Sequence, residues 1–280
     1  MILVFGSTGQ LARALRDHDP ALHFIGRDVS DLREPESCAR AIRDAWPQAV
    51  INAAAFTDVD GAEAEPQTAM RVNAEAPGAM AAACAMLGVP FVYPSTDYVF
   101  DGEGERAHSV DSPVAPLNAY GRSKAAGEAM VRDAGATHAI LRTSWVFSEY
   151  GRNFLTTMLQ LGENVRRIEV VSDQVGGPTP ADALARACLT VTQRLIDDPD
   201  LSGTYHFAGT PDASWAEFAR AIFAESGQDV EVVDVPAADY RTAAKRPSNS
   251  RLDCSGLEAF ALERPDWRVA MHRIIRSLGR

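Results

Sequence analysis

The chain opens on Met1-Ile2-Leu3-Val4-Phe5-Gly6-Ser7-Thr8-Gly9-Gln10-Leu11-Ala12, an unbroken apolar run that stops at a glycine and resumes as an amphipathic segment. Apolar residues ending in Gly-x-x-Gly read as a buried strand, a tight turn and the start of a helix. Gly6 permits the turn, and Gly9 lets the backbone come close to a pyrophosphate. Ala12 supplies the small residue that helix–strand packing needs. Unpaired amides and the dipole at such a helix start favour an anion. The segment is therefore expected to hold a dinucleotide through Gly6, Gly9, Gln10 and Leu11.

Outward from this turn the pattern repeats. Apolar runs at 22–25, Ala49–Asn52, 90–93 and 139–142 are separated by helix-like segments that begin near Gln10, Pro35, Asp60 and Ala119. Continuous apolar strands alternating with helices predict a parallel sheet covered on both faces. Right-handed crossovers make it doubly wound. The expected fold is α/β, a doubly wound parallel sheet of Rossmann type with a smaller C-terminal substrate-binding domain. Past Trp145 the alternation loosens, and Gly176-Gly177-Pro178 and Arg246-Pro247-Ser248-Asn249 mark long loops. Two more helices are expected at 181–196 and Trp215–Ser226. Residues 1–150 read as the dinucleotide-binding domain and 151–280 as mostly the substrate-binding domain, with segments crossing between them.

Composition narrows the function classes. A chain of 280 residues can bury one large core with a smaller partner. Its 46% hydrophobic and 23% charged residues give the balance of a globular protein rather than a disordered one. A formal net charge of -11 excludes a nucleic-acid partner, because such a surface repels the phosphate backbone. Cys38, Cys84, Cys188 and Cys254 form no C-x-x-C pair and read as reduced thiols. No basic stretch precedes the first strand, so no signal peptide is expected. The longest apolar stretch, 79–93, is interrupted by Gly88 and Pro90 and is shorter than the roughly 18–20 residues of a spanning helix. A cytoplasmic protein without a membrane partner is expected.

An acidic residue about 20 positions beyond the glycine turn is expected to accept hydrogen bonds from the adenosine ribose. Asp28 stands there, near the end of the second strand. Arg27 beside it suits a 2′-phosphate instead, so NADH and NADPH both stay open. Asp31 and Leu32 are placed to flank the adenine. Ala53, Ala54 and Ala55 are small enough for the cofactor to lie close, although small residues at a strand end are also ordinary packing.

Tyr120-Gly121-Arg122-Ser123-Lys124 spaces a phenol and an ammonium four apart, on one face of a helix. The ammonium is expected to lower the tyrosine from its reference pKa of about 10. Tyr120 would then exchange a proton with a substrate oxygen near neutral pH, while Lys124 also meets the nicotinamide ribose. Thr96 follows the fourth strand, at the end of a parallel sheet where ligands bind, and its hydroxyl would polarise the same oxygen. Tyrosine and lysine at this spacing also occur on helices that merely pack. Combined with the phosphate turn and Thr96, they specify hydride transfer with proton relay.

The ordered motifs resemble those of the dTDP-4-dehydrorhamnose reductase family, extended short-chain dehydrogenases/reductases. They are Gly6-x-x-Gly9-Gln10-Leu11, Asn52-Ala53-Ala54-Ala55, Val59-Asp60-x-Ala62-Glu63, Ser95-Thr96-Asp97-Tyr98-Val99-Phe100-Asp101-Gly102 and Tyr120-Gly121-x-Ser123-Lys124. They continue with Arg142-Thr143-Ser144-Trp145-Val146-Phe147, Asp173-Gln174-x-Gly176-x-Pro178-Thr179 and Arg246-Pro247-x-Asn249-Ser250-Arg251-Leu252. The similarity runs nearly end to end. It implies NAD(P)H-dependent reduction of the 4-keto group of dTDP-4-dehydro-L-rhamnose to dTDP-L-rhamnose. By the same resemblance Tyr120 is the proton donor, Lys124 its activator and ribose ligand, and Thr96 a hydroxyl that tunes the site. Trp145 would contact the sugar or else fill the core, and Asp97 would touch substrate or cap the next turn. The loops 173–179 and 246–251 would form the substrate side, with Arg246 offering its planar fork to the diphosphate.

Three departures stand out. The first helix reads Leu11-Ala12-Arg13-Ala14-Leu15, without the carboxylate through which some members hold Mg2+ between subunits. No metal is therefore expected, and a homodimer stays open. Pro94 replaces the larger residue that often stands there. The segment 105–110 lacks the family's aromatic-acidic pattern, which leaves the sugar and nucleotide open. Two other readings remain: a related nucleotide-sugar reductase or epimerase, and a non-catalytic regulatory subunit that keeps the fold.

Overall fold

The computed structural model describes residues 1–279. Its strands in chain order are β1 (Ile2–Phe5), β2 (His23–Ile25), β3 (Ala49–Asn52), β4 (Phe91–Thr96), β5 (His138–Thr143), β6 (Val146–Phe147), β7 (Arg167–Val171), β8 (Val175–Gly176), β9 (Thr179–Pro180), β10 (Gly203–His206), β11 (Ala213–Ser214), β12 (Glu231–Val235) and β13 (Asn249–Ser250). Its α-helices are α1 (Gln10–His18), α2 (Pro35–Ala45), α3 (Val59–Ala64), α4 (Pro66–Met70), α5 (Ala76–Leu87), α6 (Ala119–Asp133), α7 (Phe154–Leu161), α8 (Ala181–Asp197), α9 (Trp215–Ser226) and α10 (Trp267–Ser277).

Six parallel strands form the central sheet in the order β10-β5-β4-β3-β1-β2. Side chains alternate across it as the pleat requires. Val4, Ile51, Val92 and Leu141 meet α1 and α8 on one face. Leu3, Phe5, Val50, Tyr93 and Ile140 meet α2, α5 and α6 on the other. The chain leaves β1 towards β2 and returns across β1 to β3. The crevice of the doubly wound fold therefore opens at the carboxyl ends of β1 and β3. Two sheet-lobe elements come from the far half of the chain: α8 packs beside α1, and β10 adds the edge strand next to β5. Gly203-Thr204-Tyr205-His206 carries little apolar signal because an edge strand is only half buried.

A third core gathers Phe147 of β6 with Leu155, Phe218, Ile222, Trp267 and Ile275 from α7, α9 and α10, flanked by the parallel pair β7–β12. The remaining short strands form a three-stranded sheet, β11-β8-β13, and the pair β6–β9. Among the described residues, no helix is long and apolar enough to cross a membrane.

The entry of α6 is fixed from several sides. Asn118 caps it, its side chain accepting from Gly121 N at 2.8 Å, an arrangement worth about 1 kcal/mol. Glu63 on α3 accepts from Ala119 N at 2.7 Å. A Cβ at Gly121 would strike Tyr98 O, and one at Gly127 would strike Asn73 O. Glycine at 121 lets α6 lie against the turn after β4, and glycine at 127 lets it lie against the backbone of Asn73; the first approach sets Tyr120 near Thr96.

Candidate active site

Gly6 takes a φ of +101°, and a Cβ there would press within 3.2 Å of Ala53 and Ala54. This is the β1–β3 crevice, where Ala53 N donates to Phe5 O at 2.9 Å. Gly9 faces open space, its nearest neighbour for a Cβ being Ala53 O at 3.9 Å. No side chain caps the first turn of α1, which begins at Gln10, so its amides face that space. Arg13 and Arg16 donate to the carbonyls of Thr8 and Ser7 at 3.1 and 3.2 Å and brace the turn. A glycine cradle beside uncapped amides fits a dinucleotide pyrophosphate. The Gln10 side chain points elsewhere, donating to Val146 O at 3.4 Å and accepting from Ser148 at 2.7 Å.

At the rim, Arg27 and Asp28 are exposed. A Cβ on Gly26 would meet both the Asp28 carboxylate and the Ser7 hydroxyl, so Asp28 sits beside the phosphate turn. Asp31 is paired with Arg33 at 2.6 Å, and that hydrogen bond holds its carboxyl below the usual range. Leu32 is buried in the core under α2. Ala53 and Ala54 are half-buried and Ala55 is exposed.

Thr96 lies between Tyr120 and Asp97. Its hydroxyl is close enough to Tyr120 to ease the phenol downward. Thr96 Oγ1 donates to Asp97 Oδ1 at 3.1 Å and accepts from Tyr98 N at 3.2 Å. Thr96 itself therefore caps the turn after β4, a role the sequence had left open to Asp97. Tyr98 packs edge-on against Tyr120, ring centroids 5.6 Å apart. Asp97 is 2% exposed. Burial lifts its carboxyl to about 7, against the easing effect of Ser250 and Thr96. Its Oδ2 is buried with no hydrogen-bond partner.

The expected lowering of Tyr120 by Lys124 is corrected here. Burial raises the Tyr120 phenol well above its ordinary value, only partly offset by the neighbouring Thr96 hydroxyl. Lys124 Nζ instead donates to Pro94 O at 2.7 Å and lies 3.9 Å from the centre of the Tyr93 ring. Burial brings the ammonium itself down to about 7, opposed by the charge of Glu128. The phenol thus stays protonated, as a proton donor must be.

One helical turn beyond Lys124 lies a feature that sequence reasoning missed. Glu128 is fully buried and takes Arg142 in a two-point pair, Nε at 2.9 Å and Nη2 at 2.7 Å. Ser95 Oγ donates to the same carboxylate at 2.7 Å. Arg142 also donates to Val110 O at 3.1 Å. The network joins α6, β4, β5 and the 105–110 loop. Spacing from Lys124 along the helix face points to Glu128; its partner on β5 is visible only in the fold.

Trp145 stands at a φ of +51°, a conformation non-glycine residues seldom adopt. Its ring stacks on Trp215 at 3.5 Å and 10°, and Phe154 lies 4.5 Å beyond. Both tryptophans are half-buried. The stack joins β6 of the sheet side to the start of α9, and Trp215 carried no functional signal in the sequence. Arg246 is held by Asp60 on α3, with Nη2 to Oδ2 at 2.6 Å and Nη1 to Oδ1 at 3.3 Å. Its fork is thus anchored across the cleft. One further correction concerns the first helix: α1 runs on to His18 and does carry a carboxylate, Asp17, which accepts from Tyr150 at 2.6 Å.

Comparison with known proteins shows the family. The family model for the RmlD substrate binding domain matches residues 1–280. The dTDP-4-dehydrorhamnose reductase of Sinorhizobium fredii is 41% identical, covering 99% of this chain and 97% of its own. A solved dTDP-4-dehydrorhamnose reductase from Clostridium acetobutylicum superposes with a TM-score of 0.92 at 33% identity, covering 100% of this chain and 99% of its own. One from Bacillus anthracis, in complex with NADP, gives 0.91 at 33% identity over 99% of this chain and 98% of its own. The chain belongs to the dTDP-4-dehydrorhamnose reductase family.

Proposed function

We propose that this protein reduces the 4-keto group of dTDP-4-dehydro-L-rhamnose to dTDP-L-rhamnose with NADPH or NADH, Tyr120 giving the proton. The observation that carries the reading is the meeting of Tyr120, the Thr96 hydroxyl and a buried Lys124, at the end of the sheet that also bears the glycine cradle. A related solved reductase is described in complex with NADP, and the exposed Arg27 suits the extra phosphate. Bound cofactor supplies the hydride.

The residues divide the remaining work. Gly6, Gly9 and the α1 amides hold the pyrophosphate, Leu11 lies in that first turn, and Asp28 meets the adenosine ribose. Asp31, Leu32, Ala53, Ala54 and Ala55 border the cofactor. Lys124, drawn near neutrality by burial, orients the nicotinamide ribose from beneath the catalytic face. Thr96 and Tyr120 bind the 4-keto oxygen, and Tyr120 protonates it as charge develops. Trp145 borders the sugar, braced by Trp215. Arg246, steadied by Asp60, faces the diphosphate. In this division residues 1–150 serve the cofactor and 151–280 mostly the substrate. Four buried free thiols support a reducing, cytoplasmic setting.

The test is NADPH consumption with enzymatically generated dTDP-4-dehydro-L-rhamnose, the product read by NMR. Formation of dTDP-L-rhamnose supports the reading. Epimerised or unchanged sugar, or turnover only with a partner protein, replaces it with one of the alternatives.

A further inference from the structure

Trp145 holds a φ of +51°, and a residue so placed persists only where its surroundings over-determine it. Support comes first from the substrate half. The Trp145 ring lies on Trp215 at 3.5 Å. A Cβ on Gly176 would come within 3.1 Å of the Trp145 ring, so glycine there leaves the ring its seat. Thr179 N donates to the Trp145 carbonyl at 3.1 Å.

A further support comes from the cofactor half, and it is Gln10. A carboxamide carries a donor and an acceptor in one plane, and Gln10 uses both on the segment that leaves Trp145. Its Nε2 donates to Val146 O at 3.4 Å, and its Oε1 accepts from Ser148 Oγ at 2.7 Å. Ser148 is 2% exposed, and its Oγ also accepts from Tyr150 N at 3.1 Å. Three and seven residues further along α1 the same face continues the contact. Arg13 lies over the Tyr150 ring, 5.4 Å from its centre, and Asp17 Oδ2 accepts from the Tyr150 hydroxyl at 2.6 Å. Residues 146–150 are thus laid along the 10/13/17 face of α1.

We propose that Gln10 is a positioning residue for the sugar, its carboxamide fixing the chain at Val146 and Ser148 so that the Trp145 ring stands at a set place beside the substrate. This rests on the reductase reading above, with Trp145 as a sugar contact. It gives the Gln10 side chain a task apart from the cofactor contact expected of that residue. The first amides of α1 face the glycine cradle, while the side chains of its 10/13/17 face carry the segment that bears the aromatic stack. One helix therefore sets both the cofactor and the sugar platform.

The experiment reads the ring stack and the kinetics together in Gln10→Met, which keeps the length of the side chain and removes both hydrogen bonds. Two indoles stacked this closely couple their transitions and give a paired circular-dichroism band. Trp215→Leu removes one partner and so identifies that band. In Gln10→Met the band should weaken, and the KM for dTDP-4-dehydro-L-rhamnose should rise roughly 3–30-fold, as the loss of two hydrogen bonds allows. The kcat and the Kd for NADPH should stay within about twofold, because a contact remote from the reacting carbonyl counts alike in ground and transition states. Ser148→Ala deletes one oxygen from the other side of the same bond and should give the same pattern at smaller size. Combined, the two changes should cost less than their sum, since they break one shared bond. If Gln10→Met does not fold, Ser148→Ala decides alone. An unchanged band, or a KM within about twofold of wild type, overturns the proposal. So does a loss confined to the Kd for NADPH, which would leave Gln10 in the cofactor site only. Failure of the reductase reading shows separately, as wild type that leaves this sugar unreduced. The band, read without substrate, still decides whether Gln10 holds Trp145.

Discussion

The corner where α6 meets β4 and the rim beyond β2 are built on opposite plans. At the corner, Lys124 and Asp97 are each 2% exposed and Glu128 and Arg142 lie beneath them, each held by more than one neighbour. At the rim, Arg27 and Asp28 stand in solvent, and Asp31 and Arg33 form an ion pair of the surface kind. Burial is what gives the corner its chemistry, because desolvation moves Lys124, Tyr120 and Asp97 from their ordinary titration ranges. Exposure leaves the rim weak and adjustable, which suits recognition of one phosphate more or less. Changes at the corner should therefore cost far more than changes at the rim.

The largest expected effect is on chemistry. Tyr120→Phe keeps the ring and its edge contact with Tyr98 but removes the proton. Steady-state kcat should fall by about 10²–10⁴-fold, while the Kd for NADPH stays near wild type. Activity within a factor of about two would show that the corner merely packs.

Next comes stability. Arg142→Met leaves the Glu128 carboxylate buried without its cation, and breaking such a pair costs about 3–5 kcal/mol. Arg33→Met at the rim, where the pair is solvent-screened, should leave the midpoint close to wild type. Denaturant midpoints of the two variants measure the contrast directly, and equal shifts would erase it.

Lys124→Met should separate function from stability. Loss of the ammonium weakens cofactor binding and lowers kcat. The folded-state value for Lys124 lies below its ordinary one, so burying the charged form is unfavourable wherever the unfolded chain is protonated. Wild type should thus lose ground to Lys124→Met as pH falls from about 10 towards 7 and level off below, by on the order of 1–3 kcal/mol. Melting curves across that range check the sign; a stability difference that stays constant over it, or moves the other way, would contradict it.

The smallest effect belongs to Arg27. An exposed charge pair is worth about 1 kcal/mol or less, so Arg27→Ala should shift the NADPH to NADH ratio of kcat/KM towards NADH by no more than about 10-fold. An unchanged ratio would mean that Arg27 does not read the 2′-phosphate.

The same contrast explains what was legible beforehand. β1, β3, α9 and the turn between β1 and α1 stand where their periodicity and glycines put them, since buried parallel strands and phosphate turns carry strong local signals. Tyr120, Lys124 and Thr96 were readable from spacing and from the strand end. Their electrostatics were not: four-residue spacing suggests a lysine acting on a tyrosine, yet Pro94 O, contributed by β4, claims the ammonium. The pairings of Arg142 and Trp215 were not legible, because each joins a partner more than a dozen residues away, Glu128 and Trp145 respectively. The edge strand β10 escaped because a half-buried strand needs little apolar character. Arg246 was found by its motif, but its anchor Asp60 belongs to a helix far back in the chain.

The central claim is that this corner delivers a hydride and a proton across the 4-keto group of a nucleotide sugar. NADPH deuterated at both positions of nicotinamide C4, incubated with the protein and dTDP-4-dehydro-L-rhamnose, tests it most directly by NMR of the product. The account predicts dTDP-L-rhamnose carrying one deuterium, at sugar C4, formed in step with NADPH oxidation. Product without deuterium at C4, or NADPH that persists beside unreduced sugar, would contradict it.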